Sequence, residues 1–180
     1  MSKEKKKNLL PYIGVPILAV ALLLVCWQRL EPFSLLQKEL LLIIGYIVAV
    51  KDAKDRRIPN KIVLALLVCW VLTMIPQLVI DIESTLGMLK NSALGFVIGG
   101  GLFLLVYLIS RGGLGGGDVK FMAVAGLYLG LNGILPPMLY GSILAALFGL
   151  VMILLKKIGR KDAIPLAPFL YAGILITIFL

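Results

Sequence analysis

Long apolar runs separated by short charged segments account for nearly the whole chain. Residues 9–27, 35–50, 62–80, 93–109, 119–135, 137–155 and 164–180 are the runs, and crossing a hydrocarbon layer of about 30 Å takes roughly 20 helical residues. Asn132, Gly133 and the Pro136-Pro137 pair cut the fifth run short, because proline removes a helical hydrogen bond and glycine punctuates. The pattern predicts an all-α polytopic bundle of about seven transmembrane helices. A basic N-terminus with an additional anchor, 1–34, precedes a membrane domain over 35–180.

Composition agrees with that reading. Of the residues 61% are hydrophobic, and mean hydropathy is +1.05; an ordinary soluble domain is nearer half apolar. The net charge of +9 would suggest nucleic acid in a soluble chain. Here the Lys and Arg residues sit in short segments between apolar runs, where membrane topology explains them, and no nucleic-acid partner is expected. With the N-terminus inside and seven alternating spans, all of the 18 basic residues except Arg29, Lys38 and Lys90 fall on the cytoplasmic side. The basic N-terminus resembles a signal-peptide n-region, but the run that follows is too long and lacks a clear cleavage site, so it reads as a retained anchor. Cys26 and Cys69 lie inside apolar runs without CxxC spacing, and the chain has no histidine. Neither a metal site nor a disulfide is expected.

Nine carboxylates are present. Glu4, Glu31, Glu39, Asp81, Glu83 and Asp162 fall in terminal or loop segments where water reaches them. Asp52, Asp55 and Asp118 remain, all at the cytoplasmic boundary of the predicted topology. Asp52 closes the second span in AVKDAKDRRIPN and Asp118 opens the fifth in GGGDVKFM. Two carboxyls brought close in a partly dehydrated site tend to share one proton. Such a pair can take a proton from an attacking water and deliver one to a peptide carbonyl or leaving amine. That chemistry needs no metal, cofactor, serine, cysteine or histidine.

The stretch RGGLGGGDVKF, 111–121, holds five glycines before Asp118. Without side chains its backbone can approach a substrate or another helix closely, and a carboxylate in the first turn of the next helix is favoured by the helix dipole. Phosphate binding does not fit: GxxxxGK[ST] and GxGxxG are both absent, and Asp118 stands where a phosphate-binding lysine would be.

GGGDVK, Gly115 to Lys120, resembles the GxGDxK signature of the type IV prepilin peptidases and the related archaeal preflagellin peptidases, which are membrane aspartic proteases. DAKDRRIPN, Asp52 to Asn60, resembles the family's other motif, an Asp followed by Pro-Asp or Pro-Asn. IPLAPFLYAG, Ile164 to Gly173, is similar to the family's closing segment, with Leu166 where Phe is frequent. The resemblance implies that Asp52 and Asp118 are the catalytic pair, with Gly115, Gly117 and Lys120 in the active-site motif. Asp55 is the rival to Asp52 but lacks the spacing to Pro59. It implies a leader peptidase in the cytoplasmic membrane, active at the cytoplasmic face, with the C-terminus outside. Its partners would be membrane lipids and prepilin-like or preflagellin-like precursors that carry a basic leader and a hydrophobic helix. Larger family members carry a cytoplasmic insertion with paired CxxC motifs and also N-methylate the new amino terminus. This sequence resembles the compact members, so methyl transfer is not expected.

Lys120 reads equally as a partner of the dyad or as an interfacial anchor. Pro59 is expected to start the third span, and Pro165 and Pro168 to shape the entry of the last. Gly95, Gly99, Gly100 and Gly101, with Gly141, Ala145, Ala146 and Gly149, offer small faces for close helix packing. A small transporter would place its carboxylates mid-span, and a non-enzymatic pilus or secretion assembly factor would leave the two aspartate motifs unexplained. Presenilin-like proteases are disfavoured by missing YD and PAL motifs.

Overall fold

A computed structural model describes residues 20, 32–110, 113–159, 162 and 164–180. The expected anchor over 9–27 lies outside the described residues. Five helices follow one another: α1 Pro32–Asp55, α2 Asn60–Ile80, α3 Ile82–Ser110, α4 Gly116–Leu154 and α5 Ala167–Phe179. The first four are long and apolar enough to cross a membrane, and α5 is shorter. Seven spans are therefore not supported; the described residues give four such helices. The difference has three sources: the anchor lies outside the described residues, the fifth and sixth expected spans run together within α4, and α5, the seventh, is shorter than a span.

The helices are apolar on more than one side. On α2, Leu64, Val68, Leu72, Ile75 and Val79 are exposed, whereas Val63, Leu66, Trp70 and Met74 face the core. A soluble protein rarely leaves an apolar face of that extent to water, while lipid accepts it.

As a straight helix α4 would measure roughly 60 Å, twice the hydrocarbon thickness. It is not straight. Gly130 has φ 69° and ψ −178°, a conformation that glycine adopts and other residues avoid. The Asn91 side chain fills the corner: its Oδ1 accepts the Leu131 N–H at 3.1 Å. A side chain built at Gly99 would touch both the Met122 carbonyl and Ile134, residues that an unbroken helix would hold about 18 Å apart. The chain thus folds back at Gly130, several residues before the Pro136-Pro137 pair expected to interrupt it, and both prolines are carried inside the second arm.

Two sets of contacts hold the bundle. α3 and the first arm of α4 meet backbone to backbone, where a Cβ on Gly95 would lie 2.2 Å from the Gly126 carbonyl and one on Gly126 2.1 Å from that of Gly95. The second arm of α4 packs on α5, with Gly141 against Leu170 and Gly173 against Pro137. Of the small residues singled out in the sequence, Gly101 faces open space. α1 leans on α5 through Gly45 and Tyr171, and on α2 through a buried hydrogen bond of 3.2 Å from Gln37 to Thr73. Phe121, Leu41, Leu42, Leu66, Leu170 and Ile174 lie in the fully buried centre.

Candidate active site

Asp52 lies in the last turn of α1 rather than beyond it. The helix ends three residues later, and the next residue, Arg56, takes φ 50° and donates its N–H to the Asp52 carbonyl at 2.8 Å. A left-handed residue at this place closes a helix and turns the chain away. Residues 57–59 lead to Pro59, which caps α2 in an extended conformation as its lack of a donor N–H permits.

Asp118 stands in the first turn of α4. Gly115 is the N-cap residue, and its carbonyl accepts the Asp118 N–H at 3.1 Å. Two glycines of the motif have physical reasons. A Cβ on Gly115 would sit 2.7 Å from Oδ2 of Asp118, and one on Gly117 would sit 2.8 Å from Cβ of Ile58. Gly115 leaves room for the carboxylate, and Gly117 lets the 56–59 loop close over the start of α4.

The two side chains are 5% and 6% exposed for Asp52 and Asp118 respectively, and their carboxylates are near enough to interact electrostatically. Their surroundings differ. Asp52 Oδ2 accepts the Ala167 N–H at 3.0 Å. Asp118 Oδ1 is buried and has no hydrogen-bond partner among the described residues. A buried carboxyl oxygen without a partner is costly in a purely structural role and is suited to receiving a substrate atom or a water.

Asp55, the rival for the first role, points elsewhere. It is exposed and bonds Lys51 at 3.3 Å one turn back, a surface pair worth about 0.3–0.5 kcal/mol. Lys120 is exposed at the start of α4. Its Nζ donates to Oδ1 of Asn60 at 3.0 Å, tying the start of α4 to the start of α2 at the mouth of an apolar groove of about 450 Å³. The structure therefore brings together Asp52, Asp118, Gly115 and Gly117, and leaves Lys120 on the outer side of α4.

Sequence reasoning missed two participants, Ile58 and the N–H group at the head of α5. Pro165 and Pro168 marked the entry of the last helix, but nothing local to them indicates that the Ala167 N–H faces an aspartate 115 residues away.

Fold and site together define an all-helical membrane protein with two apposed, buried carboxyls at one end of its bundle. A family model described as the Type IV leader peptidase family matches residues 39–150, a stretch that includes both aspartates, and the chain belongs to that family. It is similar to the prepilin leader peptidase/N-methyltransferase of Bacillus subtilis (strain 168), at 33% identity over 128 residues, 71% of this chain and 48% of the relative. It is also similar to the prepilin leader peptidase/N-methyltransferase of Xanthomonas campestris pv. campestris, at 28% identity over 120 residues, 66% of this chain and 41% of the relative. The matched regions thus span about half or less of these relatives' lengths. No solved structure matches the chain.

Proposed function

We propose that this protein is a membrane aspartic endopeptidase that removes the basic leader from prepilin-like or preflagellin-like precursors at the cytoplasmic face, with Asp52 and Asp118 as the catalytic residues. The observation that carries the reading is the burial of two electrostatically interacting carboxyls from helices far apart in sequence, one of them with an oxygen that has no partner among the described residues. One carboxylate takes a proton from water as its oxygen adds to the scissile carbonyl carbon. The other, protonated, donates to the carbonyl oxygen. Collapse of the tetrahedral intermediate breaks the C–N bond: a hydroxyl of the gem-diol returns its proton to the second carboxylate, and the proton first taken from water passes to the leaving amine. No group outside the pair and the water is required.

Cytoplasmic placement rests on charge. Lys51, Lys54, Arg56, Arg57 and Lys61 surround the Asp52 end of the bundle, and the fold-back at Gly130 returns Lys156 and Lys157 to that same end. Basic loops of this kind remain inside. The C-terminus of α5 then lies outside. The proposal covers peptide hydrolysis by residues 35–180 and assigns no methyl transfer to the chain.

The test is processing of a co-expressed prepilin. Asp52→Asn and Asp118→Asn should each lower cleavage roughly 10²–10⁴-fold with membrane levels maintained, while Asp55→Asn retains most of it. Loss of processing in Asp55→Asn with Asp52→Asn active would refute the assignment.

A further inference from the structure

We infer that α5 is a positioning element for the reaction, and that the N–H of Ala167 is the group that fixes the Asp52 carboxylate opposite Asp118; this rests on the peptidase reading above. An α-helix leaves its first N–H groups without partners in the helix, and a Ser, Thr, Asp or Asn at the N-cap commonly satisfies one of them. Leu166 occupies that place in α5 and provides no side-chain cap. Of the next three residues, Pro168 has no N–H, and Phe169 bonds the Leu166 carbonyl at 3.0 Å. Ala167 is left with a free donor, and it reaches Oδ2 of Asp52 at 3.0 Å. A carboxylate from α1 thus takes the role of a local cap. It is held by a charge-assisted bond at the end of the helix where the dipole favours negative charge.

The head of α5 is itself fixed to the element that carries Asp118. Gly173 lies against the Pro137 carbonyl and Gly141 against Leu170, both too close for an added Cβ at its ideal place. α1 touches α4 little and packs chiefly on α5. The geometric relation between the two carboxyls therefore runs from Asp118 along α4, across the glycine contacts into α5, and through one backbone N–H to Asp52. Ala167 touches no substrate atom in this account; it acts through Asp52.

Replacing Ala167 by lactic acid exchanges this N–H for an ester oxygen and keeps the methyl group. The control is the corresponding hydroxy acid of leucine at Leu170, whose N–H bonds Leu166 within α5 at 3.1 Å and not Asp52. With purified protein and a prepilin substrate, the Ala167 ester should lose roughly 100-fold in kcat with KM little changed, the scale of a displacement of about 1 Å at a catalytic group. The Leu170 ester should stay within about threefold of wild type. Ala167→Ser, which retains the N–H, should preserve kcat. Wild-type kcat in the Ala167 ester, or equal losses in both esters, would overturn the assignment. An infrared difference spectrum reads the contact without turnover: the carboxylate band lost in Asp52→Asn should shift in the Ala167 ester and not in the Leu170 ester. Absence of that shift also overturns it, whereas the shift in the Ala167 ester together with a wild-type protein that cleaves no prepilin would refute the peptidase reading and leave the contact standing.

Discussion

The two aspartates are held by opposite means. Asp118 rises from a helix whose backbone lies directly on that of α3, so that Gly95 and Gly126 exclude even a methyl group. Asp52 rises from α1, which reaches its neighbours through side chains, with the Tyr171 ring edge 3.1 Å from where a Cβ on Gly45 would lie and Gln37 meeting Thr73. Backbone contact leaves little freedom because neither partner can rotate away, whereas a side-chain contact can adjust. The flexibly mounted aspartate takes a backbone N–H from another helix, at Ala167, and the rigidly mounted one keeps an Oδ1 without a partner among the described residues.

That contrast can be broken by substitution. Gly126→Leu should be the most damaging, destabilising by about 3 kcal/mol or more, because the new side chain meets the Gly95 carbonyl; Gly101→Leu, with nothing within 4 Å, should not destabilise and should gain about 0.5–1 kcal/mol of helix propensity. Thermal unfolding in detergent compares them. If Gly126→Leu were tolerated, the two helices would not be backbone-locked. Gly117→Ala should cost about 1–2 kcal/mol through Ile58, and a double-mutant cycle with Ile58→Ala should return a coupling of about 0.5–2 kcal/mol. Additive effects would separate the loop from the start of α4.

Smaller still should be Gly45→Ala. Its added methyl displaces a ring edge, but alanine in place of a helical glycine gains roughly 0.5–1 kcal/mol, so the net change should stay within about 1 kcal/mol. A loss as large as that of Gly126→Leu would erase the distinction between the two mountings. The smallest effect belongs to the connection between α2 and α3, where the Ser84 side chain and backbone N–H hydrogen-bond Asp81 and hold its carboxyl below its ordinary value. A depressed folded-state value stabilises above the unfolded value of about 3.9 and is lost as pH falls through the folded one. The melting-temperature difference between wild type and Asp81→Ala should therefore be present at pH 7 and shrink as pH falls below the unfolded value of about 3.9.

Much of this arrangement was legible in the sequence, and the part that was not has a physical cause. The apolar runs located α1, α2 and the membrane part of α3, and charge alone put Asp52 and Asp118 at one end. Pro59 and the 115–118 stretch marked helix starts that the structure has. Local signals misplaced the break in α4: two prolines are a stronger local interruption than one glycine, but the break needs Asn91, forty residues earlier, to satisfy the Leu131 N–H. Lys120, open in the sequence between a partner of the dyad and an interfacial anchor, stands two residues along the helix from Asp118 and so on another face, where it bonds Asn60. The Ala167 contact joins residues near the two ends of the described chain, and no window of sequence contains both.

The central claim, that Asp52 and Asp118 act as one unit on one water, is tested most directly by the kinetics of the two single variants and the double. Groups that act together are strongly non-additive. With purified protein in lipid and a prepilin substrate, Asp52→Asn and Asp118→Asn should fall to the same floor, and the double variant should fall no further. A double variant slower by the product of the two single losses, or either single variant with near wild-type kcat, would contradict the account.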